Sequence, residues 1–124
     1  QEDQSSMLGQ NIVLSDDGVY VTAIEESIKT VHFPDSTDED VARVKERIGL
    51  QPTAPFAAPI KITEENYGRI PRVYIECTND LVISPAAQKT MYAKMPCEQV
   101  LSLESSHTPN YGSPDKLVEQ LIKC

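Results

Sequence analysis

The architecture of this chain can be predicted from two segments, Ile70-Pro71-Arg72-Val73-Tyr74-Ile75-Glu76-Cys77-Thr78-Asn79-Asp80 and Val100-Leu101-Ser102-Leu103-Glu104-Ser105-Ser106-His107-Thr108-Pro109. Each is a short apolar, β-branched run that ends in polar residues, and a helix-like segment separates them. Two parallel strands joined by a crossover helix leave the sheet in the same direction, so the loops that follow them meet at one edge. The sequence therefore predicts that Asp80 and His107 lie side by side, as an acid and a base that share a proton must.

Two helices are predicted beside these strands, and each begins with a Ser-Pro pair. The serine supplies a capping hydroxyl, and the proline stands in the first turn, where its missing N–H is not needed. One face of each helix is apolar and is expected to pack on the sheet. Those faces carry Ala87, Met91 and Met95 after Ser84-Pro85, and Leu117, Val118, Leu121 and Ile122 after Ser113-Pro114. Two parallel strands cannot bury both faces of a sheet, so further elements are expected to complete it.

The first third of the chain shows shorter β-type segments. Residues 11–14 and 19–24 flank the turn-forming residues 15–18, which predicts a hairpin. Residues 27–33 alternate apolar and polar side chains and predict a third short strand that ends at Pro34.

A helix and a connector are predicted next. Ser36 stands three residues before Glu39, which is the spacing of a capping box, and Gly49 is the predicted stop. A role in complementing the helix dipole explains the acidic residues near this start better than a calcium loop does; these residues are Asp35, Asp38, Glu39 and Asp40. Residues 50–63 contain three prolines, which exclude regular helix or central strand, so we expect an extended connector.

Composition excludes several classes of function. The 124 residues suit one domain, and the formal net charge of -8 would repel nucleic acid and anionic membranes. No apolar run approaches the roughly 20 residues that span a bilayer, and no signal peptide is recognisable. The chain begins with Gln1 rather than Met, so we expect it to start inside a longer product.

The cysteines and the second histidine give no metal or disulfide pattern. Cys77, Cys97 and Cys124 form an odd set without Cys-x-x-Cys spacing, so no zinc site is predicted and a reducing, cytoplasmic location is favoured. Cys77 at the end of an apolar strand is expected to be a buried, inert thiol. His32 is expected to pack in its segment, with substrate contact as the alternative. No cofactor is predicted.

Beyond these patterns, residues 70–80, 96–100 and 106–109, with Ser113-Pro114 behind them, resemble the C-terminal part of the α/β-hydrolase superfamily. The resemblance is closest to the plant methyl esterase and hydroxynitrile lyase group and to its bacterial carboxylesterase relatives, which include pyrethroid-hydrolase-like esterases. It implies an α/β fold in which residues 67–124 form the last two parallel strands of the core with their helices. Residues 1–66 would form a small mixed α+β cap.

The resemblance also implies roles for two residues. In that family the catalytic Asp follows the next-to-last strand and the catalytic His follows the last strand, and Asp80 and His107 match these places. The nucleophile of the family is a Ser in a G-x-S-x-G elbow, and no such motif occurs in this sequence. The Ser would then come from an N-terminal segment of the same gene product or from a second chain, and the present chain alone is predicted to be inactive. The alternative for either residue taken alone is a loop or surface role.

The substrate is indicated only in part. The family's cap and the residues after its catalytic Asp line an apolar pocket, which makes Leu81, Val82 and Ile83 candidates for substrate binding. Packing at the start of the following helix explains them equally well. Thr108 stands where hydroxynitrile lyases carry the Lys that handles cyanide, so small or aromatic carboxylic esters are favoured over cyanohydrins.

Three alternatives stay open at this point. The same fold could serve as a non-catalytic binding protein for a small ligand. A hydroxynitrile lyase-like enzyme is the second alternative. The third is a purely structural piece whose cap mediates dimerisation, so that a homodimer would be the functional state.

Overall fold

The computed structural model describes residues 3–124 and contains two sheets. The first is antiparallel, with β2 in the centre, and the second is a parallel pair. Their strands are β1 (Ile12–Leu14), β2 (Tyr20–Ala23) and β3 (Gln51–Pro52) in the first sheet, and β4 (Val73–Cys77) and β5 (Gln99–Leu103) in the second. The mixed α/β class predicted from the sequence is therefore confirmed.

The predicted hairpin is confirmed as β1 and β2. Ser15 N donates to Tyr20 O at 3.0 Å, and Asp17 Oδ1 accepts from Val19 N at 3.0 Å. Gly18 has a φ of 70°, a left-handed conformation that glycine adopts without steric cost. The turn chemistry of four residues thus sets the register of the hairpin.

The predicted strand over residues 27–33 is wrong, because this segment is helical. It comprises α1 (Glu25–Ser27) and a π-helical turn (Ile28–His32). Ile28 and Val31 are three positions apart, so a helical backbone buries both on one face, where a strand would point them to opposite faces. The burial of Ile28 and Val31 therefore favours a helix in this segment, although the alternating sequence pattern favours a strand.

The next helix, α2 (Asp38–Lys45), is present, but its boundaries differ from the prediction. Thr37 rather than Ser36 is the N-cap, since Thr37 Oγ1 accepts from Asp40 N at 3.1 Å, and the helix ends before Gly49. Its buried residues contribute to a small core that also includes residues from the second half of the chain. This core comprises Ile28, Val41 and Val44, with Ala23, Phe33 and Tyr111 packed against it.

The predicted connector is mostly irregular. Within residues 50–63 it contains the two-residue strand β3 and the short helix α3 (Ala54–Ala57), and a π-helical turn (Glu64–Gly68) follows it. The exclusion of helix is wrong for α3, because Pro55 stands in the first turn, where its missing N–H is not needed. Pro52 can belong to β3 because this strand lies at the edge of its sheet, where a missing N–H leaves no ladder bond unmade.

The parallel pair is confirmed, with pairing from Val73 opposite Gln99 to Cys77 opposite Leu103. The helices that accompany it are α4 (Pro85–Lys94), α5 (Pro109–Gly112) and α6 (Pro114–Leu121). Ser84 caps α4 as predicted, and its Oγ accepts from Ala87 N at 3.1 Å. The predicted capping hydroxyl of Ser113 is wrong, because Ser113 precedes α6 without a side-chain hydrogen bond to the helix. Within residues 3–124 this sheet has no third strand.

The predicted packing of the two apolar helix faces on the sheet is confirmed in part, since both helices contact their neighbouring strands and Ala87 and Leu117 are partly buried. In α4 the buried residue is Gln88, whereas Met91 and Met95 are exposed. In α6, Val118 and Leu121 are 52% and 54% exposed, and Ile122 directly after the helix is 79% exposed. A pair of strands is too narrow to cover helices along their whole length, so the rest of each face lies open.

Across residues 3–124, none of the helices is long and apolar enough to cross a membrane.

Candidate active site

The loops after β4 and β5 leave the sheet together and are joined by backbone hydrogen bonds. Thr78 N donates to Leu103 O at 3.0 Å, and Asn79 N donates to Ser105 O at 3.1 Å. The strand pairing thus continues for two residues beyond the sheet, which fixes the separation of the two loops just before Asp80 and His107.

These loops bring Asp80 and His107 into direct contact. His107 Nδ1 lies 2.9 Å from Asp80 Oδ2, and the side chains are 32% and 6% exposed respectively. The contact predicted from the strand pattern is therefore confirmed. A buried carboxylate orients the ring from one side, and the unused Nε2 is left as the nitrogen that can exchange a proton.

The second carboxylate oxygen of Asp80 accepts hydrogen bonds from backbone amides of its own loop. Asp80 Oδ1 accepts from Val82 N at 2.8 Å and from Ile83 N at 2.9 Å. Burial opposes ionisation of this carboxyl, but the hydrogen bonds from His107 and from the Ile83 and Val82 amides lower its pKa below the usual value. Asp80 is thus an anion at neutral pH, with one oxygen for the loop and one for the imidazole.

Gln88 supports the Asp80 loop from α4, and the sequence patterns did not identify it. Its Oε1 accepts from Cys77 N at 2.9 Å, and its Nε2 donates to Cys77 O and Ile83 O, each at 2.9 Å. The side chain is buried, and all three bonds are to backbone groups at the two ends of the loop. The one feature of the sequence that could have pointed to Gln88 is that it is a polar residue one turn after Ser84.

The candidate substrate-binding residues lie between Asp80 and α4. Val82 is buried, whereas Leu81 and Ile83 are partly exposed. Their backbone is fastened by the start of the chain, since Ser6 Oγ donates to Val82 O at 2.6 Å and Met7 N to Leu81 O at 2.8 Å. These contacts hold the backbone of the loop in place. A role of Leu81, Val82 and Ile83 in substrate binding stays a prediction.

Thr108 and His32 connect the candidate site to the first half of the chain. Thr108 Oγ1 donates to His32 O at 2.9 Å. Burial lowers the pKa of His32, and electrostatic interaction with neighbouring His107 lowers it further, so His32 is neutral at neutral pH. The Thr108 hydroxyl is therefore engaged by the backbone, and its role toward a substrate stays a prediction.

Asp35 also reaches the site and was assigned by the sequence only to a helix-dipole role. Its carboxylate accepts hydrogen bonds from Ser105 and Ser106, which directly precede His107. Because these partners are 70 and 71 positions away, no local pattern could have identified the contact.

Cys77 lies beneath the site as a buried thiol. Burial, with the nearby carboxylates of Asp80 and Asp35, raises its pKa to about 11. The thiol is therefore protonated and unreactive at neutral pH, in agreement with the predicted inert role. Among residues 3–124 no group of three or more His, Cys, Asp or Glu side chains converges to hold a metal ion.

Comparison with known proteins gave related sequences and structures, although no family model matches the chain. The chain is 35% identical over 97 residues to the pyrethroid hydrolase of Sphingobium wenxiniae, covering 77% of this chain and 34% of that protein. It is 33% identical over 92 residues to putative methylesterase 13 of Arabidopsis thaliana, covering 73% of this chain and 21% of that protein.

Among solved structures, a pyrethroid hydrolase from Sphingobium faniae superimposes with a TM-score of 0.73 at 28% identity. The match covers 92% of this chain and 46% of that structure. The chain therefore spans about a third or less of these two curated relatives and under half of the solved structure.

Proposed function

Because the chain belongs to the α/β-hydrolase superfamily, and is similar there to methylesterases and pyrethroid hydrolases, we propose that it supplies the acid and base of a Ser-His-Asp ester hydrolase. The observation that carries the proposal is the 2.9 Å contact between His107 Nδ1 and the buried carboxylate of Asp80. It is the contact that a general base needs to hold one tautomer and to stabilise its protonated form.

The reaction follows from this geometry. With Nδ1 bound to Asp80, Nε2 of His107 accepts the proton of a Ser hydroxyl as the Ser oxygen attacks the ester carbonyl. The imidazolium then gives that proton to the alcohol oxygen of the ester, so that the alcohol leaves and an acyl-Ser ester remains. A water molecule next attacks the acyl group while the same Nε2 takes its proton. The imidazolium returns this proton to the Ser oxygen, which releases the carboxylic acid and restores the Ser hydroxyl.

The Ser nucleophile would come from a segment outside these 124 residues, either of the same gene product or of a second chain. The proposal is supported by the share of the relatives that the chain spans and by the open flanks of the parallel pair. Further strands beside β4 and β5 would cover the apolar side chains of α6. The oxyanion-hole donors would also come from that segment.

The division of the chain is part of the same proposal. Residues 1–66 would act as the cap and residues 67–124 as the end of the core. The separate antiparallel sheet and the hydrogen bonds of Asp35 and His32 with the loop of His107 support this division. Cap and core would then enclose the ester between them.

Small or aromatic carboxylic esters are the proposed substrates. Leu81 and Ile83 offer partly exposed apolar side chains beside Asp80, which suits an uncharged acyl or alcohol group. Thr108 lacks the cation that a Lys at this position would offer to cyanide, so an ester is favoured over a cyanohydrin.

The proposal is tested by combining the chain with a hydrolase segment that carries G-x-S-x-G and measuring hydrolysis of p-nitrophenyl acetate. We expect the chain alone to be no faster than buffer and the combination to be active. His107→Ala should then abolish the activity, while Lys89→Ala, an exposed change on α4, should not. Turnover that survives His107→Ala would contradict the proposal, and ligand binding without turnover would indicate a binding protein instead.

A further inference from the structure

We propose that Asp35, in the first half of the chain, is a positioning residue that sets the orientation of the His107 ring. It would act through Ser105 and Ser106 rather than by touching a substrate. Its effect on turnover rests on the esterase function proposed above, whereas its effect on the imidazole can be measured without any ester.

The first observation is the set of hydrogen bonds that converge on the Asp35 carboxylate. Oδ2 accepts from Ser106 N at 2.8 Å and from Ser105 Oγ at 3.2 Å, and Oδ1 accepts from Ser106 Oγ. Each serine is only 1% exposed, so these donors have little access to water. Loss of the carboxylate would leave these buried donors unpaired, which is unfavourable because they cannot bind water instead.

The second observation is that His107 is held on both sides by the same segment. Asp35 binds the residues that precede the histidine, and the carbonyl of His32 accepts the hydroxyl of Thr108, which follows it. The backbone at position 107 is therefore fixed at two points three residues apart in the first half of the chain. Asp80 then fixes the ring itself from the other side.

The third observation is the space that Gly112 leaves for Asp35. A Cβ atom at position 112 would lie 2.2 to 2.6 Å from the carboxylate atoms of Asp35. Real Cβ atoms do not approach so closely, so a side chain here would displace the carboxylate. The edge-to-face contact of Phe33 with Tyr111, at 5.5 Å between ring centroids, fastens the same two segments beside it.

The charge state of Asp35 suits this role. Partial burial opposes ionisation, but the hydrogen bonds from Ser106 and Ser105 lower the pKa of the Asp35 carboxyl below its usual value. An ionised carboxylate only accepts hydrogen bonds, so all three donors point toward it. An Asn can accept on one oxygen only, so it would have to break or reverse part of the set.

A merely structural role for Asp35 makes a different prediction from a positioning role. If Asp35 only fastens the cap, its loss lowers the melting temperature and leaves the chemistry of folded molecules unchanged. If it positions His107, its loss weakens the contact between Nδ1 and Asp80, so the proton of the neutral ring moves from Nδ1 toward Nε2. The tautomer of His107 is therefore the discriminating readout.

The experiment records long-range 1H–15N correlations of the imidazoles in the full 124-residue chain, in alkaline buffer so that the tautomers of the neutral rings are observed. The variants are Asp35→Asn, which keeps the shape, and Gly112→Ala, which displaces the carboxylate without changing it. Asp38→Asn is the matched control, since its side chain is 98% exposed and binds only Lys29. We expect a predominant Nδ1–H tautomer of His107 in the wild type and the control, and a larger Nε2–H share in both test variants.

The same variants are then assayed with the Ser-bearing segment. We expect kcat to fall about 10- to 100-fold with little change in KM, because a misplaced base affects the chemical step more than binding. An unchanged His107 tautomer with unchanged kcat in both test variants overturns the inference, whatever happens to their melting temperature. An altered tautomer, together with an inactive wild-type combination, would instead contradict the esterase proposal and leave the positioning role supported.

Discussion

Two regions that border the parallel pair of strands differ sharply in how far this chain completes them. At the loop edge, Asp80, Gln88 and the serines before His107 are buried and fully engaged in hydrogen bonds. At the flank, the apolar face of α6 is open to solvent. The contact between Asp80 and His107 is thus made and supported within these 124 residues, while the flank of the sheet that carries it is open.

The difference has a physical basis in the two kinds of contact. Hydrogen bonds at the loop edge are directional and each needs one partner, which a single side chain such as Gln88 provides. Covering a helix face needs apolar area, and a sheet of two strands offers little of it. A preorganised site can therefore exist in a chain whose hydrophobic layer is incomplete, and its geometry would not depend on the segment that supplies the nucleophile.

The largest effect is expected at the loop edge, from Asp80→Asn in the combination with the Ser-bearing segment. The Asn oxygen can still accept from Val82 and Ile83, but its NH2 group faces His107 Nδ1 and favours the wrong tautomer. We expect kcat for p-nitrophenyl acetate to fall by about 10³- to 10⁴-fold with the fold retained. Asp16→Asn, in the exposed hairpin turn, is the control; a loss of less than tenfold for Asp80→Asn would show that the loop edge does not act as an acid-base pair.

A smaller effect, on stability, is expected from Gln88→Ala. The change leaves the N–H and C=O of Cys77 and the C=O of Ile83 without their partner in a buried setting. We expect the free energy of unfolding in urea to fall by about 2 to 4 kcal/mol. Lys89→Ala on the exposed face of α4 should change it by less than about 0.5 kcal/mol. Equal effects of the two changes would mean that Gln88 does not hold the loop.

The smallest effect is expected at the open flank, from Val118→Asp in the chain alone. Its side chain is 52% exposed, so we expect the free energy of unfolding to change by no more than about 0.5 kcal/mol. Leu103→Ala, at a buried position of β5, provides the contrast and should cost about 2 to 5 kcal/mol. In the combination with the Ser-bearing segment, Val118→Asp should weaken association measurably. If Val118→Asp destabilised the chain alone as much as Leu103→Ala does, Val118 could not lie on an open face.

The contact between Asp80 and His107 could be predicted from sequence because its signals are local. Each of Asp80 and His107 follows a β-branched run, and the crossover rule places such loop residues at one edge. Gln88 and Asp35 could not be predicted in the same way. Gln88 lies beside an apolar helix face and binds backbone groups up to 11 positions away. Asp35 accepts hydrogen bonds from Ser105 and Ser106, which are 70 and 71 positions away in the chain.

The sequence by itself determined the elements whose signals act within a few residues. These are the hairpin at Gly18, the start of α4 at Ser84-Pro85 and the parallel strands β4 and β5. Backbone sterics, capping and β-branching depend only on neighbours along the chain, so they can be read directly. Only the tertiary structure decided that residues 27–33 are helical, that Gln88 rather than Met91 is buried, and that Asp35 holds the loop of His107. Burial and long-range hydrogen bonds depend on which element lies opposite, and that is fixed only when the whole chain packs.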